Sequence, residues 1–222
     1  MNILLPFLMA IIGGTAAALI KPKDNARIKM ILTFSGAFLL TAVATEFLPE
    51  IYETGNSFMG LYLMLGVFIQ IVLEFFSKGA EHGHLHVNKQ VQTFPFLLFV
   101  SLCLHAFLEG MPLQQSDAML YGIAIHKLPI AFIFTAFLIS SQYKTYQIIA
   151  ILLFFGSMSA LGTILAGYST YIQDFMHPVK AIVAGIVLHV STTLILESSE
   201  GHKFNFTKIL LMLAGAALAF VL

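Results

Sequence analysis

The chain has 222 residues, of which 59% are apolar and only 10% charged, and its mean hydropathy is +0.91. A soluble domain carries about 25% charged residues, so an ordinary water-soluble fold is excluded. Eleven basic residues balance eleven acidic ones, which leaves no excess charge for nucleic acid, and a single cysteine, Cys103, excludes an intrachain disulfide.

The fold class that remains is all-α: a polytopic integral membrane protein with one transmembrane domain over residues 1–222. Apolar runs divided by polar punctuation predict eight transmembrane helices, roughly at 3–20, 30–48, 58–76, 94–111, 118–139, 147–168, 179–197 and 207–222. None alternates as a membrane β-strand does. The first run is long enough to span and stay, so neither a cleavable signal nor an appended soluble domain is expected. KPKDNARIK divides the first pair of spans, and Pro49 and Gly55 act as stop signals in PEIYETGNS. The longest loop, 77–93, is read as cytoplasmic and holds EHGHLH, with His82, His84 and His86 at alternate positions. Such His tracts bind metals weakly and reversibly. A merely solvated loop is the plainer reading.

Lysine and arginine set the orientation. Lys21, Lys23, Arg27, Lys29, Lys78, Lys89, Lys144, Lys203 and Lys208 all fall in or beside odd-numbered loops. The even loops carry Glu50, Glu53, Asp117 and Asp174, with Lys180 as their one cation. Odd loops are therefore cytoplasmic and both termini lie outside. Absence of a targeting extension fits a bacterial cytoplasmic membrane.

An ionisable side chain in hydrocarbon costs about 2.5–3.5 kcal/mol on insertion scales, so each one inside a span requires a reason. Span four reads LCLHAFLEG, which places His105 and Glu109 on one helix face at i,i+4 spacing. Span five carries His126 and Lys127, then Pro129, whose missing N–H releases the carbonyl of residue 125. Helices interrupted in this way often build transport sites. Imidazole and carboxylate are ligands for zinc and similar divalent ions, and three of them on two linked helices exceed what helix packing needs. Glu46 in span two and His189 in span seven are candidates to complete the shell, although His189 serves equally well as an interhelical hydrogen bond. Glu74 is expected to reach the interface, and Glu50 and Glu53 to be loop charges. Asp117, Asp174 and His177 would form the outer approach. Gly13, Gly14, Gly156, Gly162 and Gly167 allow close helix contacts.

These features together resemble the ZIP (Zrt/Irt-like) family of divalent-metal transporters. In that family span four reads roughly His-Asn-x-x-Glu-Gly, and here it reads His105-Ala106-Phe107-Leu108-Glu109-Gly110. Span five of the family often reads His-x-x-Pro, matched by His126-Lys127-Leu128-Pro129. Span two commonly ends His-Leu-x-Pro-Glu, and here it ends Glu46-Phe47-Leu48-Pro49-Glu50. AGIVLHV, with His189, is similar to the family's Ala-Gly-x-x-x-Tyr-Val.

The resemblance implies a ZIP-like bundle that moves divalent metal cations by alternating access. It implies zinc import toward the cytoplasm, with zinc as substrate and no cofactor. The lipid bilayer and the cation are the partners, and a homodimer is compatible with it. Iron, manganese and cadmium suit the same ligands. The second metal of two-metal family members uses the positions occupied here by Ala106, Lys127 and Ser159, so its ligands are lost. Ile130 stands where a further ligand is usual. Lys127 is expected to pair with Glu109 and to replace the second cation electrostatically. Two other readings stay open. One is a non-transporting metal sensor or subunit of the same fold. The other is a membrane-embedded zinc hydrolase, which lacks a His-Glu-x-x-His pair and a carboxylate base; no enzyme is expected.

Overall fold

Backbone N–H and C=O groups in hydrocarbon have no water to bond, so apolar segments close their hydrogen bonds internally as helices. Every regular element among the described residues is helical. The structure, a computed structural model, describes residues 2–20, 25–53, 55–77, 94–114, 117–197 and 205–221. His82, His84 and His86 lie outside the described residues. The helices are α1 (Leu5–Ile20), α2 (Asn25–Ala42), α3 (Leu48–Tyr52), α4 (Met59–Ser77), α5 (Phe96–Gly110), α6 (Asp117–Ser140), α7 (Thr145–Tyr168), α8 (Thr170–Asp174), α9 (Met176–Glu197) and α10 (Phe206–Val221).

Five segments have the length and hydropathy to cross a membrane: Lys29–Tyr52, Met59–Phe76, Met119–Ser140, Thr145–Tyr168 and Met176–Leu196. Three shorter apolar helices, α1, α5 and α10, occupy the remaining predicted runs. The 15 residues of α5 reach only about 22 Å at 1.5 Å per residue.

Two prolines behave differently from expectation. Pro49 does not stop its helix. A π-helical turn, Val43–Phe47, precedes it, and the Leu48 N–H bonds the Val43 carbonyl five residues back. That widened turn takes up the proline, which cannot continue the ordinary ladder. The chain stays helical to Tyr52 and turns instead at Gly55, whose φ is 65°. Pro129 likewise leaves α6 unbroken from Asp117 to Ser140. α1 packs closely on α6 at the gap in its ladder. The backbone of Gly13 on α1 approaches the Leu128 carbonyl so closely that a Cβ there would collide with it.

Two packing sets emerge. α1 packs on α6 and α7, and α7 on α5, while α2, α4, α9 and α10 form the second set. They meet chiefly where α4 touches α5 and α2 touches α6. Within each set glycines remove the side chain at the tightest crossings. Gly110 abuts the Ser159 carbonyl and Gly162 the Phe107 carbonyl between α5 and α7; Gly66 and Gly185 do the same between α4 and α9. Close backbone approach is how membrane helices gain packing energy when lipid is as apolar as they are.

Substituting Gly162→Ala should therefore destabilise the fold by about 1–3 kcal/mol, the usual cost of overpacking. Gly60→Ala, where the nearest atom to the new Cβ is the Tyr52 hydroxyl at 3.5 Å, should be neutral or mildly stabilising. Thermal melts of the two variants in detergent check this contrast; equal melting temperatures would refute it.

Candidate metal centre

α5 enters the interior with a stripe of Leu98, Ser101, Leu102, His105, Ala106 and Glu109 facing inward. The 3.6-residue period that aligns Leu98 and Leu102 also aligns His105 and Glu109. α6 contributes His126 and Lys127, whose side chains reach the same place. All four polar side chains are buried, with at most 1% of any one exposed.

Three of them form a compact donor set. His105, Glu109 and His126 each offer a ligand atom, and these atoms lie within 4.8 Å of one another. A tetrahedral ion with bonds near 2.1 Å holds its ligands about 3.4 Å apart, so a small inward movement of His126 would complete the contact. His105 Nε2 already stands 3.0 Å from Glu109 Oε1. The two imidazole rings meet nearly edge to face, with centroids 6.1 Å apart and planes at 73°.

Lys127 takes the other oxygen of the same carboxylate. Its Nζ lies 3.4 Å from Glu109 Oε2 and 5.2 Å from the centroid of the Phe155 ring on α7. A charge in so dry a place requires a partner, and here it has a carboxylate on one side and a π face on the other. The expected pairing of Lys127 with Glu109 is thus present. Ala106 and Ser159, the other two altered positions, face each other across the α5–α7 contact. Ser159 Oγ donates to the Ala106 carbonyl at 3.0 Å, and Thr163 Oγ1 donates to the Gly110 carbonyl at 2.7 Å. Helices pressed together in this way leave backbone where longer ligand side chains would need room. Ile130 packs into the apolar cluster around Phe134 and Phe155.

Other candidates stand apart from this cluster. His189 Nε2 lies 2.7 Å from Glu74 Oε2, across α4 and α9, and both side chains are partly exposed. Glu74 therefore does not simply reach the interface; it has a helix partner. Glu50 is not a loop charge but belongs to α3, where it ion-pairs with Lys180 near the start of α9. Lys180 is itself helical and buried, so it too is not a loop cation. Glu46, His177, Asp117 and Asp174 are exposed. None of these joins the His105–Glu109–His126 group, the one such group among the described residues.

Sequence reasoning missed two residues at the centre. Gln70 of α4 is fully buried, and its Oε1 lies 2.9 Å from His105 Nδ1. Phe155 supplies the ring against Lys127. A lone amide inside GVFIQIVLEFF is a visible signal for the first. Nothing in a phenylalanine-rich chain singles out the second.

Comparison with protein-family models matches residues 77–222, well over half of the chain, to the ZIP Zinc transporter family. No match was found among curated proteins. The matched stretch holds α5, α6, α7 and α9, and therefore every member of the buried donor set. The chain belongs to the ZIP zinc transporter family, whose members are multi-pass membrane proteins that carry divalent metal ions.

Proposed function

We propose that the protein imports a divalent cation, zinc foremost, toward the cytoplasm through the His105–Glu109–His126 site on α5 and α6. The carrying observation is that three ligand atoms of the right chemistry converge within 4.8 Å at a buried position of a transporter fold. Burial explains how an ion would be stripped of water, and three protein ligands leave a coordination position open, which suits reversible binding. Lys127 acts as the site's fixed second cation, so one metal is bound rather than two. Its contact with Glu109 supports that role.

In this reading the whole chain is one transmembrane domain of eight spans in the cell membrane, with both termini outside. The three shorter helices complete the bundle, and pairing of two copies fits the family. Asp117, Asp174 and His177 lie in the outer approach, and their exposure is consistent with that role. Glu74 and His189 lie on the inner path. His82, His84 and His86 receive the ion on the cytoplasmic side. Glu109, the carboxylate of the cluster, would be a metal ligand and is not free to act as a base, so transport is favoured over hydrolysis.

Zinc influx into proteoliposomes is the test. Saturable influx is expected from the unaltered chain and should be lost in His105→Ala and in His126→Ala. Influx should also fall as pH is lowered, because protons compete for both imidazoles and the carboxylate. A folded chain that binds zinc but passes none would instead be a sensor or subunit of the same fold. Unchanged influx in both variants would remove the site from the pathway.

A further inference from the structure

We infer that Gln70 is a positioning residue for the metal site: its carboxamide oxygen holds the Nδ1–H of His105 and so turns the Nε2 lone pair toward Glu109 and His126. The inference rests on the reading of that cluster as the zinc site.

A carboxamide oxygen can only accept. At 2.9 Å from Nδ1 it requires the proton on that nitrogen, which leaves Nε2 as the donor atom for metal. Nε2 faces Glu109 Oε1 at 3.0 Å. Two lone-pair atoms at that separation are held by something positive between them, a proton or a cation. Gln70 therefore decides which edge of the ring serves the ion. It also makes the ring a better ligand, since hydrogen bonding at the second nitrogen strengthens donation from the first. A neutral amide does this less strongly than a carboxylate would, which keeps binding reversible.

The position of Gln70 adds a second consequence. It stands on α4, in the packing set of α2, α9 and α10, whereas His105 stands on α5 in the other set. One turn away Ser101 Oγ donates to the Leu73 carbonyl at 2.8 Å, a parallel tie between the same two helices. Any movement that shears one set past the other must break both bonds. His105 is then a strong ligand while α4 and α5 lie as they do here and a weaker one after they part. Metal release becomes coupled to the movement itself.

The experiment measures zinc affinity of the purified full-length chain by chelator competition, alongside thermal melts. Gln70→Met keeps the volume but removes the acceptor, and should raise Kd by about 10–100-fold. Gln70→Glu makes the acceptor anionic and should lower Kd; in proteoliposomes it should lower KM and the maximal rate together. Weakening in both folded variants would overturn the inference, leaving Gln70 a packing residue. A 15N spectrum of the zinc-loaded, histidine-labelled unaltered chain tests it without any change at Gln70. Zinc on Nε2 with the proton on Nδ1 is expected for His105; zinc on Nδ1 would overturn it. His105→Ala serves as the separate control. If that variant binds zinc as the unaltered chain does, the metal-site reading itself fails.

Discussion

Glu109→Gln is expected to weaken the proposed zinc binding and to remove much of the protein's stability. The carboxylate serves two partners at once, His105 through Oε1 and Lys127 through Oε2. The amide cannot neutralise a metal ion, and it leaves the buried ammonium of Lys127 without its counter-charge. Breaking a buried ion pair by removing one member costs about 3–5 kcal/mol. For a chain of this length that corresponds to a fall in melting temperature of roughly 10 °C. Zinc affinity should fall by roughly two orders of magnitude, taking the ~10–16 kcal/mol of a four-ligand zinc site as shared among its ligands. Melting curves with and without zinc read both effects. A Glu109→Gln protein that melts and binds like the unaltered chain would refute the arrangement described here.

Lys127→Met should behave differently, and the difference is diagnostic. The metal-free protein loses about 3–5 kcal/mol, because Glu109 now lies buried beside an apolar side chain. Zinc can take over as counter-ion, so its addition should restore most of the loss. At 100 times Kd a ligand contributes about 2.7 kcal/mol to any folded state that binds it. The variant should bind zinc more tightly than the unaltered chain, since one repelling positive charge has gone. Its melting temperature should therefore rise more steeply with zinc. The double variant Glu109→Gln/Lys127→Met closes the cycle. It should recover stability lost in the single variants but not zinc binding, because the two charges are removed together. If zinc failed to rescue Lys127→Met, Lys127 would not be standing in for a metal.

Much of the candidate metal centre is legible in the sequence alone. His105 and Glu109 share a face because four residues make just over one helical turn, and hydrocarbon makes the cost of their burial plain. His126 and Lys127 are conspicuous for the same reason. Other pairs are not legible. Glu74 meets His189 across 115 positions, and Glu50 meets Lys180 across 130. Each residue alone has a reasonable interfacial or loop reading, which holds until another helix arrives beside it. The prolines mislead in the opposite direction. Local rules stop or break a helix at Pro49 and Pro129, yet a π turn carries one and lateral packing the other.

By itself the sequence determined that the chain is helical and lipid-embedded, and which helix faces carry metal-ligating groups. Those properties follow from period and composition, which are local. Only the tertiary structure decided which faces meet. It brought Gln70 to His105, set Phe155 against Lys127 and closed Ser159 onto Ala106. Gly110 and Gly162 made the last of these contacts possible by letting the α5 and α7 backbones touch. The physical reason is distance: helix propensity and hydropathy act over one or two turns, whereas a buried charge is settled by whatever group the fold places within about 4 Å of it.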